Sequence, residues 1–91
     1  MIQHQYKYEK YIKANGVGSN DNVADSSKSY ISYLNSVQKH LEMTIDEKTL
    51  STENDIGNIS VRLTSLNKLS AKTIKNYGSA MKQYVAMVTS W

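Results

Sequence analysis

The groups in this 91-residue chain that could do chemistry are two histidines, eight carboxylates, seven tyrosines and eleven lysines or arginines, with no cysteine. Without cysteine there is no thiolate nucleophile, no disulfide and no thiolate metal site. His4 and His40 lie far apart, and neither has an imidazole or carboxylate at i+4, so they read as surface residues on two helices and no metal is expected. The carboxylates Asp46, Glu47, Glu53 and Asp55 sit at helix starts, where the dipole and capping account for them without acid–base work. Gly16-x-Gly18 lacks the third glycine and the lysine of a phosphate loop and reads as a flexible joint. A tyrosine nucleophile needs several cationic or hydrogen-bonding groups around a scissile phosphate, and Arg62 is the sole arginine. Tyr30, Tyr77 and Tyr84 therefore read as core-edge residues that bury a ring and wet a hydroxyl. The expectation is a chain that is no enzyme by itself and carries no cofactor.

What remains is charge and its placement. The net charge is +3, but it is segregated: residues 1–14 carry +2, residues 15–27 carry −2, residues 28–42 carry +1 and residues 43–56 carry −3. From Gly57 onward there are five cations, Arg62, Lys68, Lys72, Lys75 and Lys82, and no acid. Such an end suits a polyanion, either nucleic acid or an acidic protein surface; the plainer reading is a solvated basic face that keeps the protein soluble.

The elements that would position these groups follow from apolar spacing and caps. Proline is absent, which removes the commonest helix breaker and leans the chain toward all-α structure. Tyr8, Tyr11 and Ile12, with Tyr6 beside them, predict a short helix over 2–14 that ends at Asn15-Gly16. Gly16 to Asn22 has linker composition. Asp25-Ser26-Ser27 caps a helix running to about Glu42, with Tyr30, Leu34, Val37 and Leu41 on one face. Thr44 and Glu47 have capping-box spacing, but the apolar period fails before Ser51, which limits that stretch to one turn. Ser51-Thr52 caps a helix with Ile56, Ile59, Leu63 and Leu66 as its stripe, weakened at Gly57.

Asn67-Lys68-Leu69 is a tight connection, and Ser70 caps a last helix over about 71–89. Ile74, Tyr77, Met81, Tyr84 or Val85, and Val88 mark its core face. Lys72, Lys75, Asn76, Ser79, Lys82 and Gln83 fall on the opposite stripe. Their cations can reach phosphate oxygens, while Asn76, Ser79 and Gln83 can hydrogen-bond base edges; Asn and Gln offer the paired donor and acceptor that adenine presents in the major groove. Lys28-Ser29-Tyr30-Ile31-Ser32 weakly echoes Lys75-Asn76-Tyr77-Gly78-Ser79, which predicts that two helices meet the core alike.

The run Ser27-Lys28-Ser29-Tyr30-Ile31-Ser32-Tyr33-Leu34-Asn35-Ser36-Val37, the stretch from Ile56 to Leu66 and the closing Leu69-Ser70-Ala71-Lys72-Thr73-Ile74-Lys75-Asn76-Tyr77-Gly78-Ser79-Ala80-Met81-Lys82-Gln83-Tyr84-Val85 together resemble a known pattern. It is similar to the SAM-like, four-helix core-binding domain on the N-terminal side of tyrosine recombinases and phage integrases, and to helical modules preceding nuclease domains in restriction and phage proteins. The resemblance covers residues 26–89. It implies a module that clamps duplex DNA, with contacts at Lys72, Thr73, Lys75, Asn76 and Ser79 and a further one at Lys28. Tyr84 departs from the usual apolar or Phe position, and the family's catalytic arginines and tyrosine are missing.

The chain is thus expected to be a compact, SAM-like bundle of four to five helices: residues 1–15 an N-terminal helix or arm, 16–24 a linker and 25–91 a helical DNA-binding core. Its partner would be double-stranded DNA, with a catalytic domain elsewhere in a longer recombinase, nuclease or replication initiator, since Trp91 follows the last helix almost at once. A cytoplasmic location in a prokaryotic or phage-infected cell and no membrane are expected, as no stretch spans a bilayer. Five cations on phosphates would give a log–log salt slope of about −4 to −5. The alternative is a small phage-type adaptor or inhibitor that docks its basic end on an acidic protein and anchors through Tyr6, Tyr8 and Tyr11. Such an adaptor should ignore DNA, whereas a DNA module should retain most of its DNA binding without residues 1–15.

Overall fold

A computed structural model describes residues 2–15 and 23–90. Four helices follow one another: α1 over Gln5–Asn15, α2 over Val23–Leu41, α3 over Glu53–Ser65 and α4 over Ala71–Thr89. There is no strand among the described residues, so the fold is an all-α four-helix bundle. Residues 16–22 of the expected linker lie outside the described residues, and its last two positions, Val23 and Ala24, already belong to α2.

The caps of α3 and α4 are those the sequence offers, whereas Asp25-Ser26-Ser27, expected to cap the second helix, lie inside α2, which already begins at Val23. The Ser70 hydroxyl accepts from the Thr73 N–H at 3.1 Å and starts α4. Thr52 starts α3 with a capping box: its hydroxyl accepts from the Asp55 N–H at 3.2 Å, and the Asp55 carboxylate accepts from the N–H groups of Ser51 and Thr52 at 3.0 and 3.2 Å. These N–H donors hold the Asp55 carboxyl below its ordinary range. Asn67, at φ 55, takes the left-handed conformation just past α3 and turns the chain toward α4.

Residues 43–50 form no helix. The Asp46 carboxylate accepts from the N–H groups of Lys48 and Thr49 at 2.8 and 2.9 Å, and the Thr49 hydroxyl donates to the Thr44 carbonyl at 2.7 Å. That turn is self-bonded, and Ile45 and Leu50 on either side of it are fully buried. Asp46 is likewise held below its ordinary range, chiefly by the Thr49 N–H.

α4 packs against α1, α2 and α3, whereas α1 and α3 do not meet among the described residues. Its Tyr77, Ala80, Met81, Tyr84, Val85 and Met87 are buried. α2 contributes Tyr30, Leu34 and Val37, and α3 contributes Ile59 and Leu63. Tyr30 and Tyr77, equivalent in the sequence echo, are both buried, as are Leu34 and Met81 four residues on from each.

α1 belongs to this same core. Ile2, Tyr8 and Ile12 are buried with the residues of the other three helices, and the Tyr8 hydroxyl donates to the Ala80 carbonyl at 2.8 Å. Helix α1 starts at Gln5 instead of Ile2, because residues 3 and 4 form a turn, with His4 at φ 60, tied to the rest of the molecule: the Gln3 N–H donates to the Ile45 carbonyl, and the Tyr84 hydroxyl donates to the Gln3 carbonyl at 2.9 Å. Removing residues 1–15 would therefore strip side chains from the core and report on folding, not on an anchor.

Candidate nucleic-acid interface

At about 100° per residue, the buried residues of α4 occupy a broad arc centred near Tyr84, and Lys72, Lys75, Asn76, Ser79, Lys82 and Gln83 occupy the opposite one. Lys72, Lys75 and Lys82 are exposed; Asn76 and Gln83 are half-buried at the flank and Ser79 is half-buried within the stripe. The ion pairs among the described residues are His4–Glu47 and Lys13–Glu9, so no carboxylate neutralises a lysine of the α4 stripe. α4 itself contains no acid.

The stripe runs between two flanking elements. On one edge α1 abuts α4 at Ala80, one turn from both Asn76 and Gln83. On the other edge the start of α3 and the end of α4 enclose a groove of about 540 Å³ lined by Thr52, Glu53, Ile56, Lys82, Val85 and Thr89. Lys82 therefore stands at the rim of the stripe, across a groove from Glu53.

The remaining expected contacts are scattered. Lys68 is exposed in the α3–α4 connection, next to the start of the stripe. Arg62 is exposed but lies on a second groove of about 350 Å³ with His40, Leu41, Glu42, Val61 and Leu66, between the ends of α2 and α3. It faces α2, and the fold does not bring it to the α4 stripe. Lys28 is exposed on α2, a different helix. Two hydroxyls of the set already have partners: Thr73 Oγ1 accepts from Ser70 at 2.9 Å, and Ser79 donates to the Lys75 carbonyl at 3.3 Å within the helix. The base-reading groups with uncommitted amides on this face are Asn76 and Gln83.

No protein-family model, curated protein or solved structure matches this chain.

The tyrosines divide differently from their spacing. Tyr8 is fully buried and Tyr11 half-buried, which leaves Tyr6, 69% exposed, as the accessible ring of α1. Tyr84 is fully buried and gives its hydroxyl to the Gln3 carbonyl instead of to water; burial pushes its phenol and that of Tyr8 well above the ordinary range. Sequence reading missed the pairing of His4 with Glu47 at 2.8 Å, 43 residues apart. No local spacing signals it. Glu47 is held below its ordinary range by a backbone N–H and by this His4 contact. Among the described residues no three His, Cys, Asp or Glu side chains group as a metal site, and no helix is long and apolar enough to cross a membrane.

Proposed function

We propose that this chain is a DNA-binding module, non-catalytic by itself, that presents the outward stripe of α4 to duplex DNA. The observation that carries the reading is a central helix committed to the core along one arc, while its other arc holds Lys72, Lys75 and Lys82 without a carboxylate partner among the described residues, and Asn76 and Gln83 along its flank. A face kept only for solubility usually mixes both signs of charge, and α4 does not. Lysines would take phosphate oxygens and fix the register; the amides of Asn76 and Gln83 would read base edges. In this reading the module serves a mobile-element or phage recombinase, nuclease or replication initiator whose catalytic domain lies elsewhere.

The test is a salt titration of binding to mixed-sequence and enriched duplexes. With Lys68, Lys72, Lys75 and Lys82 on phosphates and Arg62 turned toward α2, the log–log slope should be about −3 to −4. Asn76→Ala should relax sequence preference, whereas Lys75→Ala should weaken all sequences alike. A flat salt response, or binding to an acidic protein surface with no affinity for DNA, would replace this reading with that of an adaptor.

A further inference from the structure

The outward face of α1 is not used by the reading above, and it differs chemically from α4. Tyr6 is 69% exposed, more than any other large apolar or aromatic side chain among the described residues. The Lys10 ammonium lies 4.8 Å from its ring centroid, one turn further along the same face. Glu9, the one acid of this helix, is bonded to Lys13 at 2.9 Å. With that pair cancelling, the exposed Lys10 leaves a positive charge beside a solvent-exposed aromatic ring.

The helix that carries this face abuts the candidate interface. The Tyr8–Ala80 hydrogen bond seats the inner side of α1 on the edge of α4 that carries Asn76 and Gln83, with Tyr6 and Lys10 on the outer side, so a strand leaving the α4 stripe on that edge would cross α1 to reach them. A duplex backbone there would need only lysines. Base pairs hide their faces inside the stack, and an exposed ring gains nothing from them. An unpaired base offers its whole face, and stacking on an aromatic side chain beside a cation is how sequence-tolerant single-strand sites hold it.

We infer that α1 carries a single-strand subsite in which the Tyr6 ring stacks on an unpaired base while Lys10 takes the adjoining phosphate. The inference extends the nucleic-acid reading of α4 to a second surface, and it sets the substrate class: a junction of duplex with single-stranded DNA.

The test compares fluorescence anisotropy on a blunt duplex, the same duplex with an oligothymidine tail and free oligothymidine, with poly-glutamate as a polyanion control. The tail should tighten binding by roughly tenfold, the scale of one stacked base. Tyr6→Ala should erase that gain and leave blunt-duplex affinity unchanged, and Tyr6→Phe should retain it, because stacking needs the ring and not the hydroxyl. Tyr6 is exposed, so both variants should keep wild-type circular dichroism and melting. A tail that adds nothing, a gain that survives Tyr6→Ala, or poly-glutamate competing with the tail as well as oligothymidine does would each overturn the subsite. Tyr6-dependent binding to tail and oligothymidine with no binding to the blunt duplex would uphold it and remove the α4 reading instead. Binding to the blunt duplex with an inert tail would do the reverse. Absence of binding to every DNA would remove both.

Discussion

The Tyr8 hydroxyl and the Ala80 carbonyl, 72 residues apart in sequence, meet at 2.8 Å inside the core. The Tyr8 ring also lies 5.6 Å from that of Tyr84, and Tyr84 reaches back to the Gln3 carbonyl at 2.9 Å. Two tyrosines thus clasp the first helix and the residues before it to the last helix. Tyr8→Phe should cost about 1 kcal/mol, since it removes one buried hydrogen bond while Ala80 keeps its place in the helix. Tyr8→Ala should cost about 3 to 5 kcal/mol and unfold much of so small a protein. Urea denaturation measures both, and a Tyr8→Ala variant as stable as wild type would mean that α1 is not part of the cooperative core.

Gly57 and Gly78 lie inside α3 and α4, and a Cβ added at either meets nothing within 4 Å. Glycine there only widens the unfolded ensemble. Gly57→Ala and Gly78→Ala should each stabilise the fold by about 0.5 to 1 kcal/mol, raising the melting temperature by several degrees. A fall in melting temperature for either would show that the helix needs that position open.

Acid sensitivity should be carried by the caps. Asp55 and Asp46 are held below their ordinary range by backbone N–H donors, and Glu47 by a backbone N–H and His4. A carboxylate with a depressed folded pKa contributes stability that is present above its unfolded value, near about pH 4, and is lost as pH falls through the lower folded value. Stability should therefore hold from neutrality to about pH 5 and decline below about pH 4. Asp55→Asn should lower stability at neutral pH and flatten the acid decline, seen as a smaller change in urea midpoint between neutral and acid buffers. An unchanged acid decline in that variant would assign it to other carboxylates.

Raised phenols act at the opposite limit. Tyr8 and Tyr84 are both pushed up from the ordinary phenol value of 10.0, so the unfolded chain ionises first and stability should fall as pH rises past about 10. In absorbance titration these two should ionise only as the protein unfolds. Ionisation of all seven tyrosines before any loss of helical signal would contradict their burial.

The cations offer an internal comparison. Lys72→Ala, Lys75→Ala and Lys82→Ala should each reduce the steepness of the salt slope by about one, while Arg62→Ala, on the groove shared with Glu42, should leave it unchanged. Equal effects from all four would show that net charge, not the α4 stripe, governs binding.

Much of the framework was legible locally. Ser70 and Thr52 cap the helices their sequences announce, and the stripes at Leu34–Val37, Ile59–Leu63 and Tyr77–Met81 are buried as their spacing predicts. These signals operate within one or two turns, where backbone geometry dictates which residues share a face. Ile45 and Leu50 were illegible because they sit in a turn with no period, and are buried only by what packs over them. The grouping of Arg62 with the later cations failed for a related reason: charge counted along the chain says nothing of which neighbour each helix face meets.

The sequence by itself determined four amphipathic helices, the caps of α3 and α4 and an acid-free last helix with one polar arc, because each is set by short-range periodicity and by side chains reaching their own backbone. Only tertiary structure decided that α1 is a core element, that Tyr8 and Tyr84 are clasps while Tyr6 stays open, and that Arg62 parts from the lysines of α4. Those outcomes depend on contacts between residues tens of positions apart, and their energies exist only once the helices have packed.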